Sequence, residues 1–219
     1  MTQGHRFFAA VWDQMARHEG KKDKEARSRV VGGVQGKALE VGLGVGTNWL
    51  YLPEGTDYVG IEPDPYMLSR ARRNAKAQGR QFELQKVSVE ELPFPDDSFD
   101  TVFETLTLCT IEDVPAALAE IRRVLRPNGQ FRFWDHVRPH GRISGPLADG
   151  ITPAWRRIGG GCNPNRETES AISAAGFEIR ELSHSKMGPM PFILGVAVVQ
   201  DGETMAQPTE AAVAAGAIA

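Results

Sequence analysis

An apolar strand that runs straight into a glycine-rich turn is the feature that most constrains this chain. The segment Ala38-Leu-Glu-Val-Gly-Leu-Gly-Val-Gly-Thr-Asn48 places Gly42, Gly44 and Gly46 two residues apart. Glycine permits a sharp turn at positive φ and allows a ligand to lie directly on the backbone. A second apolar run ends in Glu62, 20 residues after Gly42. This order of strand, glycine turn, strand and carboxylate predicts a parallel α/β sheet that holds an adenosine ribose.

The spacing of the glycines narrows the choice of adenosine ligand. A dinucleotide site requires Gly-x-Gly-x-x-Gly, but Thr47 occupies the sixth position here. Glu40 lies two residues before Gly42, where its carboxylate is placed to reach a cationic ligand group, directly or through water. The turn therefore indicates a ligand other than a nicotinamide dinucleotide.

Charge and cysteine content exclude several classes of function. The net charge of −3 argues against a nucleic-acid surface, and the basic cluster over 21–29 is diluted by acids, which predicts a solvated helix face. Cys109 and Cys162 lie in unrelated sequence contexts with no metal-ligand spacing, so no metal is predicted. Two lone thiols suggest a reducing compartment. With no secretory region and no apolar run of about 20 residues, we expect a cytoplasmic protein without a membrane span.

Strands and helices alternate along the chain. Apolar runs predict strands over 38–42, 57–62, 82–87, 99–106, 130–135, 177–183 and 192–200. Helical patterns fall between them as far as the sixth strand, so the sheet should be mostly parallel. The last two strands are joined by a Met-Gly-Pro loop without a helix, and we expect them to pair antiparallel.

The segments outside the strands give the expected domain organisation. Residues 1–36 are predicted to form an N-terminal helical lid, with packing of its first helix on the core as the alternative. Residues 37–200 form the main domain. Within it, 137–165 is rich in Gly and Pro and reads as an irregular, substrate-side insertion with a short helix near 154–158. Residues 201–219 are Ala-rich and are predicted to be a disordered tail.

Further motifs follow the glycine turn in a recognisable order. They are Glu62, Leu92-Pro93-Phe94-Pro95, Ser98-Phe99-Asp100 and Arg123-Val-Leu-Arg-Pro-Asn-Gly129. With them, the chain over about residues 35–200 resembles the class I S-adenosylmethionine-dependent methyltransferases. The resemblance implies a Rossmann-like, seven-stranded, mostly parallel sheet flanked by helices, with the last strand antiparallel, and S-adenosyl-L-methionine as the cofactor.

The resemblance also implies which residues bind the cofactor. They are Glu40, Gly42, Gly44, Gly46, Glu62, Pro63, Ser88, Val89, Glu90 and Thr105. Glu62 would accept hydrogen bonds from both ribose hydroxyls, and Pro63 would flank the adenine. Ser88 replaces the family's usual acid, so the Val89 backbone or Glu90 could contact the adenine amine instead. Thr105 would lie near the methionine end, or bond only to backbone.

A narrower resemblance appears downstream. Five segments are similar to motifs of the methyltransferase-like subgroup that includes the microsomal alkyl-thiol methyltransferases. They are Thr105-Leu-Thr-Leu-Cys-Thr-Ile111, Trp134-Asp-His-Val137, Pro153-Ala-Trp155, Gly161-Cys-Asn-Pro-Asn-Arg-Glu-Thr168 and Gly188-Pro189…Leu194-Gly-Val-Ala-Val198. The subgroup implies a small-molecule acceptor, such as a thiol. Two features depart from it: Asp135 replaces a Glu, and a polar segment stands where the subgroup has a hydrophobic N-terminal anchor.

The acceptor side of the site is predicted around His136, which follows the fifth strand. His136 would act as an acid/base or substrate contact, with a structural histidine as the alternative, and Asp135 could orient it. Trp12, Trp155 and Arg166 are candidate substrate contacts, although each also suits the core or a helix start. Both cysteines are predicted to be structural, with a pocket-lining position as the alternative for Cys162, and the small number of cysteines disfavours arsenite as acceptor.

Two other functions stay open. An O-, N- or C-methyltransferase of a lipid, quinone or natural-product intermediate would carry the same cofactor motifs, because such motifs do not fix the acceptor. A non-catalytic cofactor-binding sensor would also keep the glycines and Glu62. The oligomeric state is not indicated.

Overall fold

The computed structural model describes residues 6–16, 18–188 and 190–199. Its strands are β1 (Lys37–Val41), β2 (Asp57–Ile61), β3 (Glu83–Gln85), β4 (Phe99–Thr105), β5 (Leu125–His136), β6 (Phe177–Met187) and β7 (Met190–Val199). Its α-helices are α1 (Arg6–Ala16), α2 (Lys21–Val31), α3 (Pro65–Ala77), α4 (Val114–Val124), α5 (Ser144–Ile158) and α6 (Thr168–Ala174). A short 3-10 helix covers Thr47–Leu50. The predicted tail at 201–219 and the first residues of the chain lie outside the described ranges.

The strands form a single sheet in the order β3-β2-β1-β4-β5-β7-β6. The first five strands pair in parallel, whereas β7 lies between β5 and β6 and is antiparallel to both. The predicted seven-stranded, mostly parallel, Rossmann-like sheet with an antiparallel last strand is confirmed. Ligands of such sheets bind at the carboxyl ends of the parallel strands.

Helices cover both faces of the sheet. Neighbouring residues of a strand point to opposite faces, and the two faces bury separate clusters. Leu39 and Phe133 belong to a cluster built with α4 and α6, and Ala38 and Trp134 belong to one built with α2 and α3. This sandwich fixes the ends of β1, β4 and β5 relative to one another.

The segment 137–165 differs from its prediction. It contains the 15-residue helix α5 rather than an irregular chain with a short helix. Its glycines and Pro153 argued against a long helix, but Ile143, Leu147, Ile151 and Trp155 repeat every four residues, which is a helical spacing. These side chains are exposed rather than in the core.

Among the described residues, no helix is long and apolar enough to cross a membrane.

The strand β5 also begins earlier than predicted. Residues 126–129 lie within it as an irregularity, because Leu125 pairs with Phe99 before the register shifts and Gln130 pairs with Thr101. Asn128 takes a positive φ of 65° at this point. The strand accommodates this irregularity without ending.

The glycine turn after β1 is shaped by backbone conformation and by close packing. Gly42, Gly44 and Gly46 have φ of 66°, 56° and 86°. A side chain at Gly42 would collide with Thr107, and one at Gly46 would collide with Trp49. At Gly44 the nearest atom to an added Cβ is the Trp12 indole nitrogen, 3.9 Å away. Two glycines are therefore required by packing, and the middle one borders open space.

Replacing Gly42 by alanine tests two requirements at this position, the positive-φ backbone and the close packing against Thr107. Gly42→Ala should lower the free energy of unfolding by about 2–5 kcal/mol, because a left-handed backbone costs about 1–2 kcal/mol for alanine and displacing Thr107 adds about 1–3 kcal/mol. Gly55→Ala is the matched control, since Gly55 has a φ of 77° and no atom within 4 Å of an added Cβ. Urea unfolding measures both, and equal losses would contradict the packing against Thr107.

Candidate active site

Glu62 follows β2 and extends its carboxylate to the glycine turn. One oxygen accepts a hydrogen bond from the Gly44 backbone N–H at 3.0 Å, and the other accepts from the Asp64 N–H at 2.9 Å. Burial raises the pKa of Glu62 to about 7, although the two N–H groups oppose the shift. A carboxylate has about four acceptor positions, so this one keeps room for further donors.

Glu40 lies deeper in the same region, on β1. Its carboxylate accepts hydrogen bonds from the Asn48 amide at 2.6 Å and from the Tyr58 hydroxyl. Burial raises the pKa of Glu40 to about 7, against the effect of these hydrogen bonds and of Arg27. Protein side chains thus engage both oxygens, and a contact between Glu40 and a cationic ligand group stays a prediction.

Arg27 of α2 joins this network at the carboxyl edge of the sheet. Its guanidinium donates to Asn48 at 2.7 Å and to the Thr105 hydroxyl at 2.5 Å, and it pairs with Glu19. It also lies 5.3 Å from the ring centroid of Trp134. Arg27 is only 6% exposed, so the prediction of a solvated basic helix face is wrong for this residue. Thr105 bonds to side chains at the strand end.

The residues predicted near the adenine lie beside β2 and β3. Pro63 is exposed. The Ser88 hydroxyl donates to the Glu90 carboxylate, and the Val89 side chain is buried against the core. Of this group, backbone carbonyls, the Ser88 hydroxyl oxygen and the Glu90 carboxylate can accept a hydrogen bond from an adenine amine, and their role stays a prediction.

The loop after β4 connects the glycine turn to the end of β5. The Thr107 hydroxyl donates to the Val41 carbonyl at 3.3 Å, directly before the turn. Two residues later, the Cys109 backbone N–H donates to the Asp135 carboxylate at 3.0 Å. The other oxygen of Asp135 accepts from the His136 backbone N–H at 2.9 Å. Asp135 is fully buried, and its carboxylate joins the backbone of the loop at Cys109 to the backbone at the end of β5.

Both cysteines meet His136 next to this loop. Potential ligand atoms of Cys109, His136 and Cys162 all lie within 4.8 Å of one another, and Cys162 Sγ is 3.2 Å from His136 Nδ1. Both cysteines are free thiols. Tertiary contacts build this cluster from segments that lie far apart in the sequence.

The cluster shifts the ionisation of its members. A hydrogen bond from Cys109 lowers the pKa of Cys162 against the opposing effect of burial, and His136 lowers it further. The same hydrogen bond and burial raise the pKa of the Cys109 thiol. Burial lowers the pKa of His136, but Cys162 and Asp135 outweigh it and raise the pKa overall. The arrangement therefore favours a thiolate at Cys162 beside a protonated His136.

Aromatic side chains lie between the glycine turn and the cysteine cluster. Trp12 stacks on Phe8 with ring centroids 5.9 Å apart, and the Phe8 ring packs against Gly160. Trp155 hydrogen-bonds Cys162, which contributes to its lowered pKa. The predicted substrate contacts Trp12 and Trp155 are thus placed beside the turn and beside the cluster, respectively.

Arg166 lies before α6 and is only partly available. Its guanidinium donates to the Ile111 carbonyl at 2.6 Å, while its buried Nε has no hydrogen-bond partner. It lines a surface groove with Glu112 and Asn163. A contact between Arg166 and an acidic acceptor stays a prediction.

Sequence reasoning missed four contributors to this region. Arg27 was grouped with solvated charges, and Asn48 was only the last residue of the glycine motif. Cys109 and Cys162 lie in segments recognised as motifs, but nothing in their local spacing indicates that they meet. The available signal was their placement after predicted strand ends or in loops that face the same edge of a parallel sheet.

Comparison with known proteins agrees with this geometry. A family model described as a methyltransferase domain matches residues 39–133. Human thiol S-methyltransferase TMT1B is 32% identical over 191 residues, which cover 81% of this chain and 78% of that protein. Human thiol S-methyltransferase TMT1A is also 32% identical, over 82% of this chain and 75% of that protein.

Solved structures share the fold at lower identity. The YcgJ protein from Bacillus subtilis superposes with a TM-score of 0.66 at 18% identity, over 82% of this chain and 100% of that chain. A geranyl diphosphate methyltransferase, solved with GPP and sinefungin, has a TM-score of 0.66 at 15% identity, over 81% of this chain and 77% of that chain. From its glycine turn, its sheet topology and these relatives, the chain belongs to the class I methyltransferases, in the subgroup that includes the thiol S-methyltransferases.

Proposed function

We propose that this protein transfers a methyl group from S-adenosyl-L-methionine to a small-molecule thiol. The assignment of the methyl donor rests on the buried Glu62 carboxylate. It contacts the glycine turn and has hydrogen-bond acceptor positions that the two backbone N–H groups do not use. The thiol acceptor is supported by the 32% identity to two thiol S-methyltransferases over about four-fifths of this chain. The free thiols of the site fit a reducing compartment such as the cytoplasm.

The donor side follows from the turn. S-adenosylmethionine supplies a methyl group already activated on a sulfonium, so alignment and exclusion of water are the main tasks of the protein. Glu62 would accept the ribose hydroxyls, and Gly44 would allow the ligand to approach the backbone. Thr105 would lie at the methionine end, held there by Arg27 and Asn48.

The acceptor side is centred on His136. A thiol has an unperturbed pKa of about 8.5 and reacts as its thiolate, so a neutral-pH enzyme gains from a cationic group that stabilises the thiolate. We assign that role to His136, whose protonated form the cluster favours, with Asp135 holding its backbone. Trp12 and Trp155 would shape the space in which the acceptor binds.

Replacing Glu62 tests the donor site. Glu62→Gln should weaken binding of S-adenosylhomocysteine by about 10–100-fold in calorimetry, which corresponds to about 1.5–3 kcal/mol for a charge-assisted hydrogen bond. Glu54→Gln, an exposed carboxylate before β2, is the control. Unchanged affinity in Glu62→Gln would contradict the assignment.

The pH dependence of the same binding gives a second prediction. The pKa of Glu62 is raised to about 7 in the free protein, and ribose hydroxyls that donate to the carboxylate should lower it in the complex. Binding then releases a proton below pH 7, so affinity should rise with pH up to about 7 and level off above it. Glu62→Gln should remove that component of the profile.

Replacing His136 tests the acceptor side. His136→Gln should lower kcat/KM for a thiol by about 100-fold or more at neutral pH. The loss should shrink above the pKa of the acceptor, because the thiolate then forms without help. His184→Gln, an exposed histidine beside Glu169 on the sheet edge, is the control. An equal loss at every pH would assign His136 a structural role.

An acceptor panel separates the competing functions. Labelled S-adenosylmethionine is incubated with matched thiols, phenols, amines and lipids, and the products are identified by mass spectrometry. We expect methylated thiols. Methylation of hydroxyl, amine or carbon acceptors alone would favour the O-, N- or C-methyltransferase, and cofactor binding without any methylated product would favour a sensor.

A further inference from the structure

We propose that Cys109, His136 and Cys162 bind a soft divalent cation of the Zn²⁺ type, with one coordination position left for the acceptor sulfur. The ligand atoms of the three residues lie within 4.8 Å of one another. In a tetrahedral zinc site, Zn–S of about 2.3 Å and Zn–N of about 2.0–2.1 Å place neighbouring ligand atoms about 3.5–3.8 Å apart. The 3.2 Å between Cys162 Sγ and His136 Nδ1 is a few tenths of an ångström from that spacing.

The three ligands come from separate parts of the fold. Cys109 lies on the loop after β4, His136 ends β5, and Cys162 follows α5. A site assembled in this way depends on the folded chain rather than on a local sequence pattern. This explains why the spacing of the cysteines predicts no metal.

Further contacts hold the ligands in place. The Asp135 carboxylate binds the backbone N–H groups of Cys109 and His136. Asn163, next to Cys162, donates both its backbone N–H and its side-chain amide to the Cys109 carbonyl, at 2.8 and 2.9 Å. Such surrounding hydrogen bonds orient metal ligands and are part of a metal site's affinity.

The donor set indicates both the class of cation and its role. Two thiolates and an imidazole suit zinc and related soft ions. Three protein ligands are typical of catalytic zinc sites, which keep a fourth position open, whereas structural sites are closed by four. The position of the cluster at the carboxyl edge of the sheet, one loop from the glycine turn, places that open position on the acceptor side.

This inference rests on the proposed thiol acceptor for its chemical role. An acceptor thiol that binds the cation would lose its proton to solvent and remain as a thiolate. The thiolate sulfur would form a bond to the methyl carbon as the carbon–sulfonium bond breaks, giving a thioether and S-adenosylhomocysteine. In the loaded protein, His136 would promote loss of the proton through the cation.

Cobalt binding tests the site without any methyl acceptor. The full chain is stripped with a chelator under a phosphine reductant and titrated with Co²⁺. We expect equimolar binding with a thiolate-to-cobalt charge-transfer band, and displacement of that band by Zn²⁺. A spectrum without thiolate charge transfer would overturn the proposal.

Single variants identify the ligands. Cys109→Ser, Cys162→Ser and His136→Gln should each weaken Co²⁺ binding by more than about 10-fold and change the charge-transfer band. His184→Gln is the matched control and should bind as the unmodified chain does. Circular dichroism and S-adenosylhomocysteine binding show that each variant is folded. Cobalt binding that survives in both cysteine variants would overturn the assignment.

Activity assays separate this inference from the proposed function. Methylation of thiols that proceeds undiminished in the stripped, cobalt-free protein would overturn the role of the cation and leave the methyltransferase proposal intact. Cobalt binding with the expected spectrum, but no methylation of any thiol, would support the metal site while contradicting the thiol acceptor.

Discussion

The loop after β4 is the constraint on which the rest of this structure depends. At its start, Thr107 packs against the positive-φ Gly42 and bonds to the end of β1. At Cys109, it is held by the buried carboxylate of Asp135 from β5. Three strand ends are thereby fixed by one short segment. The glycine turn and the end of β5 cannot move independently, because a shift of this loop would disturb both.

Burial of charge is the second organising feature. Burial raises the pKa of Glu40 and of Glu62 to about 7, so neither carboxylate is fully compensated by the protein. Glu40 is enclosed by side chains, with the buried Arg27 nearby; removing one partner of such a buried network typically costs about 3–5 kcal/mol. Glu62 instead faces the glycine turn. Glu40 is therefore bonded to side chains of the protein, whereas Glu62 is bonded to backbone N–H groups at the glycine turn.

The architecture and the glycine turn could largely be predicted from the sequence. Glycine spacing, the position of Glu62 and strand alternation are local patterns, and the sheet agrees with them. The prediction failed where contacts are non-local. In the sequence, Arg27 is one of several charged residues in a polar helix, and only the tertiary fold shows that it is buried against Trp134. The helix α5 is difficult to predict because Pro153 and its glycines disfavour a helix, whereas a four-residue apolar repeat favours one.

The cysteine cluster illustrates the same limit in its strongest form. Cys109, His136 and Cys162 come together only because β4, β5 and the chain after α5 meet at one edge of the sheet. In a Rossmann-like fold, residues after parallel strands converge regardless of their separation in sequence. For this family, chemistry at the acceptor side should therefore be sought by projecting loop residues onto that edge. A search for compact ligand motifs would pass over a site whose members are contributed by different loops.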